Sequence, residues 1–400
     1  MAGFFVFIVH SKSIPNYRPM SATNTFSYWE QTAFLNDADV IIIGSGIVGL
    51  SAALHLKKQQ PGLKVIVLER GFLPSGASTK NAGFACFGTV SEQLSYLEKS
   101  SEEEVLKLAD YKWQGLMRLR ENLGDTNIDY QQHGGYELFL NGDEQQAKYC
   151  IEQINYLNHI LQPVLGITDN YAVANAKITD FGFAGVNRMI YNTCEGQIHT
   201  GTMMRTLLNK VHSLGVLVLN SCEVTRIEQQ EKSMQIITQQ GNFKCEKAII
   251  ATNAFANQLF PQLNVVPGRG QVLVTKPING LKLKGTYHFN EGYYYFRNID
   301  DRVLFGGGRN LDFKAEQTWD FGHTERVQQQ LADYLRDVIL PNQHFEIDYR
   351  WSGIMGFGED IKPIVKQLEP NLFCAVRCNG MGVAMGSLVG EEVVELTLKG

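Results

Sequence analysis

The chain has 400 residues, 44% of them hydrophobic, with 36 basic against 41 acidic side chains and a formal net charge of −5. That length can bury a large core and predicts two domains or one large discontinuous one. The mildly acidic balance excludes a field that would recruit nucleic acid, and no basic run marks a membrane surface. The seven cysteines are scattered, with no CxxC pair and no cluster with histidine. They predict a reduced, cytoplasmic setting and no metal site.

The opening apolar run, GFFVFIV at residues 3–9, lacks a basic lead and is too short to span a bilayer. No signal peptide and no transmembrane segment is expected, and both Met1 and Met20 stand as candidate starts. Residues 1–35 read as a loosely packed arm whose aromatic part is SYWEQT, 27–32.

The stretch DADVIIIGSGIVGLSAALHL follows, and then KVIVLER. Residues 39–43 are an apolar, β-branched run that predicts a buried strand, and 50–56 have the spacing of a packed helix. Between them Gly44 suits a tight turn, Gly46 allows backbone to approach a pyrophosphate, and Gly49 lets the helix lie on the strand. A second strand, 64–68, ends in Glu69, placed to accept hydrogen bonds from a ribose. This strand, glycine turn, helix, strand and acid predict a dinucleotide site, with NAD and FAD both open at this point.

Beyond Arg70 the run PSGASTKNAGFACFG is rich in small residues, so backbone can approach a flat ligand there. Residues 91–123 carry helical periodicity, with Ser91 and Ser101 as expected N-caps. A strand pair is expected over 129–140, a helix over 142–159 and another over 201–213. Strands are expected over 216–219, 223–228, 234–238 and 244–255, which suits an open α/β sheet. After Pro261 strands predominate, spaced by turn residues as in an antiparallel sheet, and 324–339 predicts an exposed amphipathic helix. The chain closes on LFCAV, the glycine turn RCNGMGVAMGS and a helix over 388–399. A second glycine turn opening a helix could direct N–H groups at the edge of an isoalloxazine ring, which favours FAD over NAD.

Together DVIIIGSGIVGLSAALHL with LER, GASTKNAGF, the CEVTRIE and IIATNAF pair, and WSGIMGF with NGMGVAMGSLVGEEVVEL resemble the D-amino-acid-oxidase (DAO) family of FAD-dependent oxidoreductases. Within it the arm SYWEQT with ADVIIIG and GASTKNAG is most similar to the gamma-glutamylputrescine oxidoreductase branch. The resemblance implies an α/β fold: a Rossmann-like FAD domain from discontinuous segments, 36–126, 190–262 and 346–400, plus an antiparallel-sheet substrate domain, 127–189 and 263–345. It implies FAD held by Gly44, Ser45, Gly46, Ile47 and Gly49, by Glu69 and Arg70, and by Ser78 and Thr79 near the pyrophosphate. Asn81, Ala82, Gly83 and Phe84 would line the flavin, Val224 would touch the adenine, and Gly380, Met381, Gly382 and Val383 would meet the pyrimidine edge.

The implied reaction oxidises a C–N bond of an amine or amino acid to an imine, with hydride passing to the flavin and then to oxygen or a quinone. The alternatives are a dehydrogenase of a hydroxy acid or polyol phosphate, or a flavin-binding protein without turnover. No acid–base residue is assigned, and His199 and His288 are read as structural or surface residues. Sarcosine-oxidase relatives attach the flavin to a cysteine where RWSGIMGF places Met355, so FAD is expected to be non-covalent. Glycine oxidase has an arginine at that position for the substrate carboxylate, and here Met355 cannot serve. Tyr294 and Arg309 are the expected pocket residues, with Arg309 supplying the missing charge. In sarcosine oxidase a lysine on the strand matching RVLFGG promotes reaction with oxygen; the resemblance puts Leu304 at that place, which predicts slow peroxide production.

Overall fold

The computed structural model describes residues 26–399; the opening apolar run and Met20 lie outside them. Residues up to Asn36 form a unit of their own. In its described part Ser27 caps the single turn Tyr28–Glu30: its hydroxyl accepts from the Glu30 N–H and its own N–H donates to the Glu30 carboxylate at 2.7 Å.

From Asp37 onward the chain builds two large sheets. At the centre of the first lies Ala38–Ile43, parallel to Asn242–Ile250 on one side and to Val65–Leu68 on the other. Leu372–Val376 and Leu217–Leu219 extend it in parallel, and Ile364–Glu369 closes one edge antiparallel. The hairpin of Val224–Gln229 and Met234–Thr238 hangs from Asn242–Ile250. Val65–Leu68 and Leu372–Val376 are buried at every residue, as parallel strands covered on both faces must be, which is why they read as unbroken apolar runs.

Three helices are fixed on this sheet by missing side chains. A Cβ on Gly49 would lie 2.0 Å from the Gly44 carbonyl oxygen, so the helix Ile47–Gln59 starts directly against the turn that precedes it. On the C-terminal helix Gly382–Lys399, a Cβ at Gly390 would lie 2.8 Å from the Ala52 nitrogen and the Val48 carbonyl. Gly115 of Glu102–Leu123 would meet the Ala384 carbonyl at 2.3 Å. The last helix therefore begins at Gly382 rather than at the expected residue 388, because Gly386 and Gly390 are contact surfaces and not breaks. The helix expected to start at Ser91 is capped instead by Thr89, which shares a reciprocal pair of hydrogen bonds with Glu92; Ser101 caps as expected.

The second sheet runs Ile347–Phe357, Val266–Thr275, Arg302–Gly307, Tyr294–Ile299, Thr286–Phe289, Gly135–Leu140, Val186–Asn192 and Tyr171–Val173. Among these strands the pair Thr286–Phe289 and Gly135–Leu140 is parallel and the others are antiparallel. Ile347–Phe357, which the boundary at 346 gave to the nucleotide half, bonds along its length to Val266–Thr275. Val186–Asn192 likewise runs across the boundary at 190. The sheet's core is aromatic: Tyr287 stacks on Phe296 with centroids 4.6 Å apart, and Phe289 on Tyr294 at 4.9 Å. The helix Glu325–Tyr334 is not simply exposed, since Val327 and Leu331 are buried in that core.

If the glycine contact between the first and last helices fixes their distance, Gly390→Val forces backbone apart. It is expected to cost about 3 kcal/mol or more of stability. Urea denaturation should show a lower midpoint with an unchanged slope.

Candidate active site

One cavity of about 670 Å³ is lined from both sheets. Its floor is the turn between Ala38–Ile43 and the helix Ile47–Gln59. Gly44 holds φ +106°, where a side chain would also strike the Ala251 carbonyl at 2.7 Å, and Gly46 opens on the cavity. The N-cap Gly46 offers no side-chain cap; the Ile47 N–H is instead taken by the Ser78 hydroxyl at 2.8 Å. Glu69, 6% exposed, accepts from Ser45 through both its N–H and its hydroxyl, and from Gly71 N and Ser75 Oγ. Arg70 stacks its guanidinium on Phe255 at 3.6 Å. Val224, from the hairpin, lines the same end.

The small-residue loop is folded by its own asparagine. Asn81 accepts from Gly83 N at 2.8 Å and from the Thr200 hydroxyl at 3.0 Å, and donates to the Ala77 and Ser78 carbonyls. Asn81, Ala82 and Phe84 thereby come to the cavity wall, as do Gly380, Met381, Gly382 and Val383 at the start of the last helix. Gly380 has φ +85°, and the Met381 N–H closes a turn on the Cys378 carbonyl at 2.8 Å.

Four expected cofactor residues are not on the wall. Ser45 is fully buried and turned onto Glu69. Gly49 is sealed against Gly44, and Gly83 against the Ile198 carbonyl, 2.4 Å from where a Cβ would lie. The Thr79 hydroxyl is spent on the Pro74 and Gly76 carbonyls. These four shape the cradle from behind. The remaining residues fit a long dinucleotide with a flat ring: a bare glycine floor, a buried acid at one end and a glycine turn opening a helix at the other.

The opposite wall comes from the second sheet. Arg309 and Met355 line it. Tyr294 does not, because it is 1% exposed and stacked on Phe289 in the aromatic core. Side chains alternate along a strand, so the wall is served by Tyr295, whose hydroxyl is pushed up to about 12 by burial. Opposite Tyr295 in register stands His288, also on the wall, with Phe84 edge-on to both rings. Neither Tyr295 nor His288 was assigned from the sequence. Counting by two from the buried Tyr287 and Phe289 would have put His288 on the other face.

Arg309 is half-buried, its guanidinium 4.1 Å from the centre of the Phe357 ring and 5.0 Å from that of Phe313. Burial draws its pKa down, and among the described residues it makes no ion pair. The segment after it is pinned by Glu316, 1% exposed, which takes Arg269 Nε at 2.8 Å and Nη2 at 3.1 Å. Leu304 is packed with Ala82, Val272 and Val274. Its partner across the strand pair, Arg297, is a buried cation bonded to the Ile198 carbonyl at 2.9 Å and drawn down to about 10 by burial. Positive charge therefore stands on the strand beside Leu304.

Floor and wall together define a flavin-dinucleotide oxidoreductase, in which one cavity presents a cofactor cradle to a small-molecule pocket. A family model described as "FAD dependent oxidoreductase" (DAO) matches residues 39–396, and the chain belongs to that family. It is 25% identical over 370 residues to gamma-glutamylputrescine oxidoreductase of Escherichia coli (strain K12), covering 90% of this chain and 83% of the relative. It is 24% identical to glycine oxidase of Geobacillus kaustophilus (strain HTA426), covering 90% and 92%. Among solved structures, L-proline dehydrogenase from P.horikoshii superposes with a TM-score of 0.72 at 19% identity, covering 91% and 94%. The fold is the DAO fold and the cofactor is FAD. Among the described residues no helix is long and apolar enough to cross a membrane.

Two outcomes follow from the cradle. In Gly46→Val the new side chain enters the space beside Ser78 Oγ, already 3.1 Å from a Cβ there. The variant should purify with less flavin and lose the rise in melting temperature that added FAD gives the wild type. Precipitation with acid should leave all flavin in the supernatant, since Met355 offers no thiolate; flavin remaining in the pellet would contradict this.

Proposed function

We propose that the protein oxidises the C–N bond of a small amine or amino acid to an imine. The observation that carries this reading is that the FAD cradle and a wall bearing Tyr295, Arg309 and Met355 face each other across one cavity. The amine class is supported by the relatives, which include a gamma-glutamylputrescine oxidoreductase and a glycine oxidase. FAD, when bound, supplies the two-electron acceptor for the hydride.

The chain's own contribution is placement and charge. Tyr295 and Phe84 supply an aromatic surface against which the substrate carbon can be held. Arg309 binds an acidic group of the substrate: a desolvated guanidinium without a carboxylate gains most from one. We assign the first sheet with its helices to the cofactor and the second sheet, including Ile347–Phe357, to the substrate. Seven unpaired, buried cysteines support a reduced, cytoplasmic setting.

The reading is tested by turnover with an artificial acceptor across amines, amino acids, 2-hydroxy acids and polyol phosphates. Activity confined to compounds with an amino group is expected, and activity confined to the alcohols would contradict it. Arg309→Met should raise KM for the best carboxylate-bearing substrate by about 10- to 100-fold, the loss of one charge-assisted contact, and leave uncharged-tail amines nearly unchanged. Equal effects on both classes would remove Arg309 from the pocket.

A further inference from the structure

Behind the cavity wall lies a buried group of ionisable side chains that neither the cradle nor Arg309 uses. Cys86, Glu92 and His288 reach the wall, and His288 is 7% exposed, on the strand Thr286–Phe289. His288 Nε2 is enclosed and points at Glu195, 3.5 Å from Oε2. Glu195 is 1% exposed and comes from the turn before Gly196–Gln197; Thr286 donates its hydroxyl to the same Oε2 at 3.1 Å. The carboxylate sits in the space Gly135 leaves open, where a Cβ would overlap it at 2.0 Å. Among the described residues neither Nε2 nor Glu195 Oε1 has a formed hydrogen bond. A buried carboxylate and a buried imidazole so placed cost free energy unless a proton is shared between them.

The ring's orientation states what the pair can do. With Nε2 turned to the carboxylate, Nδ1 is the nitrogen left for the cavity. A carboxylate on one ring nitrogen fixes the tautomer that places the lone pair on the other and raises that nitrogen's basicity. Around the ring stand Glu195 and, further out, Glu92 from Val90–Leu97 and Glu137 from Gly135–Leu140, with Cys86 and Lys112 in the same group. On the wall Tyr295 stands opposite it in register and Phe84 meets it edge-on. Burial alone would lower the imidazole's pKa; Glu195, then Glu92 and Glu137, outweigh it and raise it.

We propose that His288, oriented by Glu195, is the base that takes a proton from the ammonium form of the substrate. The inference rests on the amine reading above. An amine arrives protonated at neutral pH, and its nitrogen lone pair must be free before hydride can leave the adjacent carbon. In the step, one N–H bond of the ammonium breaks and its electron pair stays on nitrogen. The proton bonds to Nδ1, and the positive charge passes to an imidazolium beside Glu195. No oxidation occurs in this step.

The test uses holoenzyme labelled with 13C-histidine, the His288 signal being assigned by its loss in His288→Asn. His288 should titrate above the ordinary histidine range, and Glu195→Gln should move its midpoint down. At a pH above that midpoint, where the ring is neutral, n-butylamine, but not n-butanol, should shift the signal toward the imidazolium position. A signal blind to both the amine and Glu195→Gln would overturn the proposal, whatever the enzyme's substrate. In anaerobic flavin bleaching by glycine and n-butylamine, His288→Asn should be slower by about 100-fold or more at pH 7 and recover toward pH 10, where solution supplies neutral amine. An equal loss at every pH would make His288 structural and overturn it. If no amine bleaches the wild type, the amine reading itself fails, and the resonance measurement still decides whether His288 meets an amine.

Discussion

The structure depends on how closely one helix is allowed to approach its surroundings. Ile47–Gln59 lies against the end of Ala38–Ile43 because Gly49 has no Cβ, and against Gly382–Lys399 because Gly390 has none. A methyl group at either point would push backbone against backbone, where nothing can repack. The same close approach brings Gly44, Gly46 and Ile47 together with residues 380–384 at one cavity, so distant parts of the chain meet there.

The second sheet contributes by alternation. Its strands send Tyr287, Phe289, Tyr294 and Phe296 into an aromatic core on one side and His288 and Tyr295 to the cavity on the other. A stacked core of this kind fixes ring positions more rigidly than aliphatic packing would, because each ring has a preferred offset and tilt to its neighbours. The groups on the cavity side are therefore presented at set heights above the cradle. The buried Arg269–Glu316 pair tethers the segment that follows Arg309. A pair this buried adds little net stability, since desolvation consumes much of its attraction.

The cofactor half was legible because its constraints are local. A strand, three glycines, a helix and an acid occupy about thirty residues whose spacing alone carries the geometry. The substrate half was less so. Tyr294 and Tyr295 are equally plausible on a run of three tyrosines, and only the register against Phe289 and His288 decides which faces the cavity. A one-residue shift in alignment exchanges the two faces of a strand. The placement of Ile347–Phe357 in the second sheet is set by pairing with Val266–Thr275, some eighty residues away in sequence, which no local pattern records. Ser45 and Thr79 illustrate a different limit: the motif names them as cofactor residues, but their hydroxyls hold Glu69 and the loop instead of facing the cavity.

The central claim, that this cavity brings the carbon next to an amino group against FAD for hydride removal, is tested most directly by anaerobic bleaching of the bound flavin with an amine. The amine should be compared with the same compound deuterated at that carbon. The account predicts stoichiometric bleaching that is several-fold slower for the deuterated compound. Bleaching at equal rates, or none with any amine while a hydroxy acid bleaches the flavin, would contradict it.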